Sequence, residues 1–201
     1  IRDPRTLLVH AVWIDANDRA IMAAHRTPVV HNPESNMKLG AGIAPLTGLL
    51  AAGIAVGLGT DGCASNNTLD LFQTMDITAK LHKVRDMQPT AADAQTVLTL
   101  ATRGGAHAIG MEKEVGSLEV GKKADLIQVG FDDVHHVPTY DVVSHLVFVT
   151  DEQDVAAVIV DGKLLVRDGQ FLTIDTARVR AEATALASAI AAELAKRNRQ
   201  E

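Results

Sequence analysis

The sequence predicts an α/β fold in which strands and helices alternate, followed by a smaller β module and a closing helix. Three observations carry that expectation. Short apolar runs rich in β-branched residues recur between helical stretches in the first third of the chain. An Asp161-Gly162 pair separates two such runs late in the chain, the signature of a two-residue hairpin turn. An Ala-rich stretch with helical spacing ends the sequence.

Residues 6–12 read as a buried strand, a short apolar run ending at His10 and Ala11. Residues 15–26 read as a helix and 27–31 as a second strand, closed by Asn32-Pro33. Residues 32–43 are dense in Asn, Gly, Ser and Pro and read as a loop. A short helix over 45–52 has Pro45 at its start, where the missing N–H costs nothing. The third strand, 54–58, runs into Gly59-Thr60-Asp61. Strands alternating with helices imply a parallel sheet with crossover helices. In such sheets the site forms just beyond the carboxyl ends of the strands. His10, His31 and Asp61 all fall there.

Helical periodicity continues over 69–84, with Leu71, Phe72, Met75 and Ala79 on one side and Asn67 or Thr68 as N-cap. Thr90, after Pro89, is a suitable N-cap for a helix over 91–101, and 103–109 continues as another helix stopped by Gly110. The character then changes. A turn at Val120-Gly121-Lys122 leads to a strand over 124–129, and the hairpin pairs 155–160 with 163–166. The closing helix, 175–199, carries Leu186, Ile190 and Leu194 as its apolar stripe. The expected divisions are 1–114, 115–172 and 173–201.

Composition narrows the function. Hydrophobic residues at 47% and charged residues at 22% are the balance of a soluble globular protein. With aromatics at only 3%, the core must be built from Ala, Val, Leu and Ile. A net charge of -6 argues against a nucleic-acid or anionic-membrane partner. Cys63 is the only cysteine, so no internal disulfide can form, and the usage fits a reducing cytoplasm. No run reaches the length of a membrane span. The opening Ile1-Arg2-Asp3-Pro4 lacks Met and enters a strand almost at once, which reads as a chain entered midway.

Taken singly, His10 reads as a core histidine bonded to backbone, and Asp61 as a turn carboxylate beside Gly62. Together, at the ends of two parallel strands, they can converge on one point. An imidazole and a carboxylate suit zinc or a similar divalent ion, or an acid–base pair acting on activated water. Catalytic zinc needs a third protein ligand, and none is evident. His-x-His, His-Glu-x-x-His and Cys-x-x-Cys are absent, as is the cytidine-type deaminase signature. His135 and His136 are adjacent in an acidic loop, and adjacent residues rarely aim at one ion. His25, His82 and His107 lie on expected helices as surface or packing residues, and His145 falls in the β region as a structural residue. The stretch His31–Gly40 offers a wall for a substrate pocket or a self-bonded loop. Gly57-Leu58-Gly59 and Gly104-Gly105 lack phosphate-binding spacing.

These motifs resemble a known family. H-N-P-E-S-N-M-K-L-G-A-G-I-A-P over 31–45 resembles the seventh-strand loop of amidohydrolase-superfamily deaminases. L-G-T-D-G-C-A-S-N-N over 58–67 resembles their eighth-strand motif. G-S-L-E-V-G-K-K-A-D-L over 116–126 and Y-D-V-V-S-H-L over 140–146 resemble the opening of their C-terminal β region. The 5-methylthioadenosine/S-adenosylhomocysteine deaminases are the group most similar, and guanine deaminases and s-triazine hydrolases share much of the pattern.

The resemblance implies the C-terminal part of a (β/α)8 TIM-type barrel, about strands 6–8, followed by part of a small β-sandwich. It implies a divalent metal, zinc foremost and iron as the alternative. Asp61 then matches the eighth-strand aspartate that binds metal, contacts substrate and moves protons. His10 matches the sixth-strand histidine that contacts the hydrolytic water or the metal. The substrate implied is a purine nucleoside, an adenosine thioether deaminated to its inosine analogue with release of ammonia. The family's first-strand His-x-His, fifth-strand His and nearby Glu are absent here. The implied partners are therefore the missing N-terminal half of the barrel and, for the assembly, further copies in a homo-oligomer. The 201 residues alone are expected to be inactive.

Overall fold

The computed structural model describes residues 6–198. The residues on which the reading of a chain entered midway rests, Ile1 to Pro4, lie outside them. Nineteen helical and strand elements form two sheets with helices around them.

The first sheet is parallel, in the order β1 (Leu8–Val9), β2 (Val29–His31), β3 (Val56–Leu58). Leu8 pairs with Val29, and Val29 in turn with Val56. The crossovers are α1 (Ala16–Ala24) after β1, then α2 (Pro33–Lys38) and α3 (Leu46–Ala51) after β2. The expected strands are present but shorter. The ladder stops where His10 and Ala11 turn into the left-handed region, with φ of 69° and 47°.

Residues 33–38, expected within a loop, form α2 instead. Pro33 sits in the first turn, Glu34 complements the positive end of the helix, and Lys38 the negative end. Beyond β3 come α4 (Cys63–Asn66) and α5 (Leu71–Asp86). Asp70, not Asn67 or Thr68, caps α5 by accepting from the Phe72 amide at 2.8 Å. The helix expected from Thr90 starts later, as α6 (Ala94–Thr99). Asp93 caps it through the Thr96 amide at 2.7 Å. A carboxylate binds that amide more strongly than a hydroxyl, and Ala92 at φ 44° breaks the chain just before it.

A π-helical turn, Leu100–Gly104, joins α6 to α7 (Gly105–Ala108). Its glycines let the helix backbone rest directly on β3. A methyl at Gly57 would lie 2.8 Å from Gly105 Cα, and one at Gly104 would lie 2.6 Å from the Val56 carbonyl oxygen. Close packing is the role of these glycines in the fold.

The core joins both sides of the parallel sheet. Met22, Val29, Leu46, Leu49, Ile54, Val56, Met75, Ala79, Val97, Leu100 and Val147 are buried in one cluster. Full burial of a residue such as Leu46 or Leu49 contributes roughly 1.5–3 kcal/mol.

The second sheet is antiparallel, β4 (Leu126–Val129), β5 (Val155–Val160), β6 (Lys163–Arg167), β7 (Gln170–Phe171). Asp161 and Gly162 both have positive φ, 50° and 74°, as the hairpin turn demands. Between β4 and β5 runs α8 (Val142–Phe148), started by Asp141 accepting from the Ser144 amide at 2.6 Å. His145 is therefore helical, not part of the sheet. The closing helix α9 (Thr176–Arg197) is capped by Asp175. Its stripe of Leu186, Ile190 and Leu194 is more than half exposed. No described helix is long and apolar enough to cross a membrane.

Candidate active site

Parallel pairing puts the carboxyl ends of β1 and β3 at one end of the sheet, with β2 between them. His10 follows β1 and Asp61 follows β3, and His10 Nε2 lies 3.8 Å from Asp61 Oδ2. The two residues expected to converge do converge. Their side chains are 40% and 31% exposed, open to one space. His10, Ala11 and Asp61 (φ 62°) all hold left-handed backbone. For non-glycine residues this costs roughly 1–3 kcal/mol each and gathers at functional sites.

Helix α2 supplies the supports. Ser35 Oγ donates to Asp61 Oδ2 at 2.6 Å, and the Gly62 amide donates to Oδ1 at 2.8 Å. The Ser35 hydrogen bond, then the Gly62 amide and Ser65, pull the Asp61 pKa down to about 2. The group is a carboxylate at neutral pH. Asn36 Oδ1 lies 2.9 Å from His10 Nδ1. An amide oxygen only accepts, so Nδ1 carries a proton; in the neutral ring the lone pair then sits on Nε2, the nitrogen that faces Asp61.

Glu34, the residue before Ser35, anchors α2. It is buried and accepts from Asn66 Nδ2 at 3.3 Å, Gln73 Nε2 at 2.6 Å and Thr74 Oγ1 at 2.5 Å. Lys38 adds a bond to the Ala64 carbonyl at 3.1 Å and another to Asn67. Sequence reasoning offers residues 31–40 as either a pocket wall or a self-bonded loop and assigns them no partners. The Pro33 and Glu34 helix-start signals could have located α2, but not the side chains it meets 32 to 40 residues later.

His31 ends β2 yet does not join the open site. It is fully buried, with Nε2 2.9 Å from His82 Nε2 on α5. Burial, with His82 close by, lowers the His31 pKa to about 3, and burial lowers that of His82 to about 4. Both rings are neutral near pH 7.

A divalent ion fits the open pair. Asp61 is anionic, each of its oxygens accepts one hydrogen bond and keeps a further lone pair, and His10 Nε2 faces the same space. Two donors leave a catalytic shell incomplete. Any further ligands come from outside this pair.

The amidohydrolase family profile matches residues 1–165. The chain belongs to the amidohydrolase family. It is 49% identical over 176 residues to the 5-methylthioadenosine/S-adenosylhomocysteine deaminase of Syntrophobacter fumaroxidans, covering 88% of this chain and 40% of that protein. It is 47% identical to the 5'-deoxyadenosine deaminase of Methanosarcina acetivorans, covering 94% and 43%. Among solved structures, an adenosine deaminase from Xanthomonas campestris with bound zinc superposes with a TM-score of 0.92 at 36% identity, covering 95% of this chain and 44% of that one. The zinc complex of atrazine chlorohydrolase from Arthrobacter aurescens gives 0.85 at 31%, covering 92% and 41%. This amidohydrolase chain thus spans less than half the length of the relatives it matches.

Proposed function

We propose that this amidohydrolase chain is the C-terminal part of a metal-dependent hydrolytic deaminase. Its substrates are adenosine thioethers of the 5-methylthioadenosine and S-adenosylhomocysteine type, converted to the inosine analogue and ammonia. The observation that carries the reading is the meeting of His10 and Asp61 beyond the carboxyl ends of β1 and β3 of a parallel sheet, each held by a buried side chain of α2. The names of the relatives at 47–49% identity supply the substrate class. In this reading β1, β2 and β3 are barrel strands 6–8, residues 1–114 are barrel, 115–172 contribute to a β-sandwich and 173–201 form the closing helix. The remaining barrel strands and ligands come from an N-terminal half, and copies of the whole assemble as a homo-oligomer. The protein works in the cytoplasm, and its partners are small molecules.

Asp61 would hold the ion, zinc foremost and iron as the alternative. Such an ion, when bound, makes water nucleophilic near neutral pH. Asp61 starts the cycle as a carboxylate, takes the proton of the attacking water and gives it up readily toward the departing amine, because it holds a proton weakly. His10, fixed in one tautomer by Asn36, orients that water through Nε2. Ser35 and the Gly62 amide keep the Asp61 carboxylate from swinging away.

The test is ammonia release by the complete protein from a panel of methylthioadenosine, S-adenosylhomocysteine, 5'-deoxyadenosine, guanine and an s-triazine. Asp61→Asn is expected to lower turnover by roughly 10²–10⁴-fold. Near-normal turnover in that variant would remove Asp61 from the role. Preference for guanine or a triazine would favour the second reading, a guanine deaminase or triazine hydrolase, which the likeness to the atrazine enzyme supports. The 201-residue chain alone is expected to be inactive, because this site offers only one carboxylate and one imidazole.

A further inference from the structure

We propose that the β module carries a second, independent site for a divalent transition-metal ion, formed by His135, His136 and Asp154. The sheet brings them together. Antiparallel pairing of β4 with β5 places the exit of one strand beside the start of the other, and the Gly130 amide donates to the Asp154 carbonyl at 2.8 Å. A tight helical turn, Val134–His136, follows β4, and another, Glu152–Asp154, precedes β5. One ligand atom from each of the three residues lies within 4.8 Å of the others.

The local chemistry is that of a ligand set more than of a hydrogen-bonded cluster. His136 is fully buried, and neither of its ring nitrogens has a hydrogen-bond partner among the described residues. Its Nε2 nevertheless sits 3.2 Å from Asp154 Oδ2, close but out of line for an N–H donor. His135 Nε2 is 3.1 and 3.2 Å from the two oxygens of the same carboxylate. Ligands about 2.0–2.1 Å from a tetrahedral ion stand about 3.3 Å from one another, so the two imidazole–carboxylate separations have the length of such edges, and the third pair of ligand atoms lies within 4.8 Å.

A buried, unpartnered polar nitrogen is costly, and an ion would satisfy it. Phe131 stacks on His136 at 4.4 Å and fixes the ring. The Asp151 amide donates to Asp154 Oδ2 at 2.9 Å, the kind of outer support that orients a carboxylate ligand. The His135 side chain, 41% exposed, gives the ion its route from solvent and leaves a position for water. Two imidazoles and one carboxylate select zinc-like ions over calcium or magnesium, which prefer all-oxygen shells. The proposed site runs against the expectation that neighbouring histidines do not share an ion; it rests on the tight turn, which holds the two rings 4.3 Å apart at their centroids.

The test uses the full 201-residue chain, stripped with chelator and titrated with Co²⁺ followed by its visible absorption, then with Zn²⁺ in competition. His135→Ala is the decisive variant, since an exposed side chain can be removed without disturbing the fold; Asp154→Asn is its companion. The wild type should bind Co²⁺ with a visible band that Zn²⁺ displaces. His10→Ala should keep it, and His135→Ala should weaken binding by at least about tenfold while retaining the wild-type circular dichroism. The proposal is overturned if the wild type gives no band at micromolar metal. It is equally overturned if His135→Ala binds like the wild type, or if the band disappears in His10→Ala and survives in both other variants.

Discussion

Glu34 offers a quantitative test of how the site is held. It is buried, no cation is paired with it among the described residues, and three donors converge on it. Summing three charged hydrogen bonds at about 1.5–3 kcal/mol each would overstate the loss in Glu34→Ala. Asn66 Nδ2 also donates to the Thr60 carbonyl at 2.8 Å, and Thr74 Oγ1 to the Asp70 carbonyl at 3.0 Å. Gln73 is exposed and turns to water. No donor is left stranded, so the cost is that of the vacated volume plus weakened bonding, about 2–3 kcal/mol. Glu34→Gln keeps the shape. Gln73 can turn its amide so that its carbonyl meets the new NH₂, while the remaining oxygen still serves Asn66 and Thr74. That variant should lose only about 1 kcal/mol. Urea unfolding of the purified chain, with extrapolation to water, measures both. Equal losses in the two variants, or a loss below about 0.5 kcal/mol in Glu34→Ala, would refute the network as the anchor of α2.

Two further outcomes follow from the packing. His31 and His82 have folded pKa values of about 3 and 4, below the unfolded value near 6.5. The unfolded chain therefore binds more protons on acidification, and the stability is full above pH 6.5 and lost as pH falls toward 4. The urea midpoint should drop across that window, and a His31→Gln/His82→Gln double variant should show a shallower drop; an unchanged slope would exclude the pair as its cause. Gly57→Ala drives a methyl to 2.8 Å from Gly105 Cα, and this overpacking should cost about 1–3 kcal/mol, read by thermal unfolding against Gly62→Ala, whose added Cβ meets nothing within 4 Å and whose φ of -83° suits any residue.

How far the sequence disclosed this arrangement depends on the range of the interactions involved. The three strands of the parallel sheet announce themselves through local apolar runs, and their ends locate His10 and Asp61. The hairpin is equally local, since Asp161-Gly162 sets its own turn. Helix α2 was hidden by its composition: Asn32, Pro33, Ser35 and Asn36 are loop residues by frequency, yet Pro33 and Glu34 start the helix, and Ser35 and Asn36 bond outward across the fold. Helix α8 was hidden by β-branched Val142 and Val143, which Asp141 overrules by capping. The buried pairs beneath the site, His31 with His82 and Glu34 with Thr74, lie 51 and 40 residues apart. No local pattern encodes such meetings.

The bare-backbone contact between β3 and the Leu100–Ala108 helical segment has a consequence for how this protein can change. Most packed surfaces can be adjusted in small steps, exchanging one apolar side chain for another of slightly different size. Where Gly57 meets Gly105 and Gly104 meets the Val56 carbonyl, there is no side chain to exchange. A side chain at Gly57 or Gly104 adds atoms where none fit, so the strand leading to Asp61 cannot be nudged from behind at those positions. Adjustment of the carboxylate must come from the front, through Thr60, Gly62 and the face of α2, since a side chain at Gly59 would meet Asn32 and Val30. A library aimed at new specificity should be concentrated there, with the glycine seam left untouched.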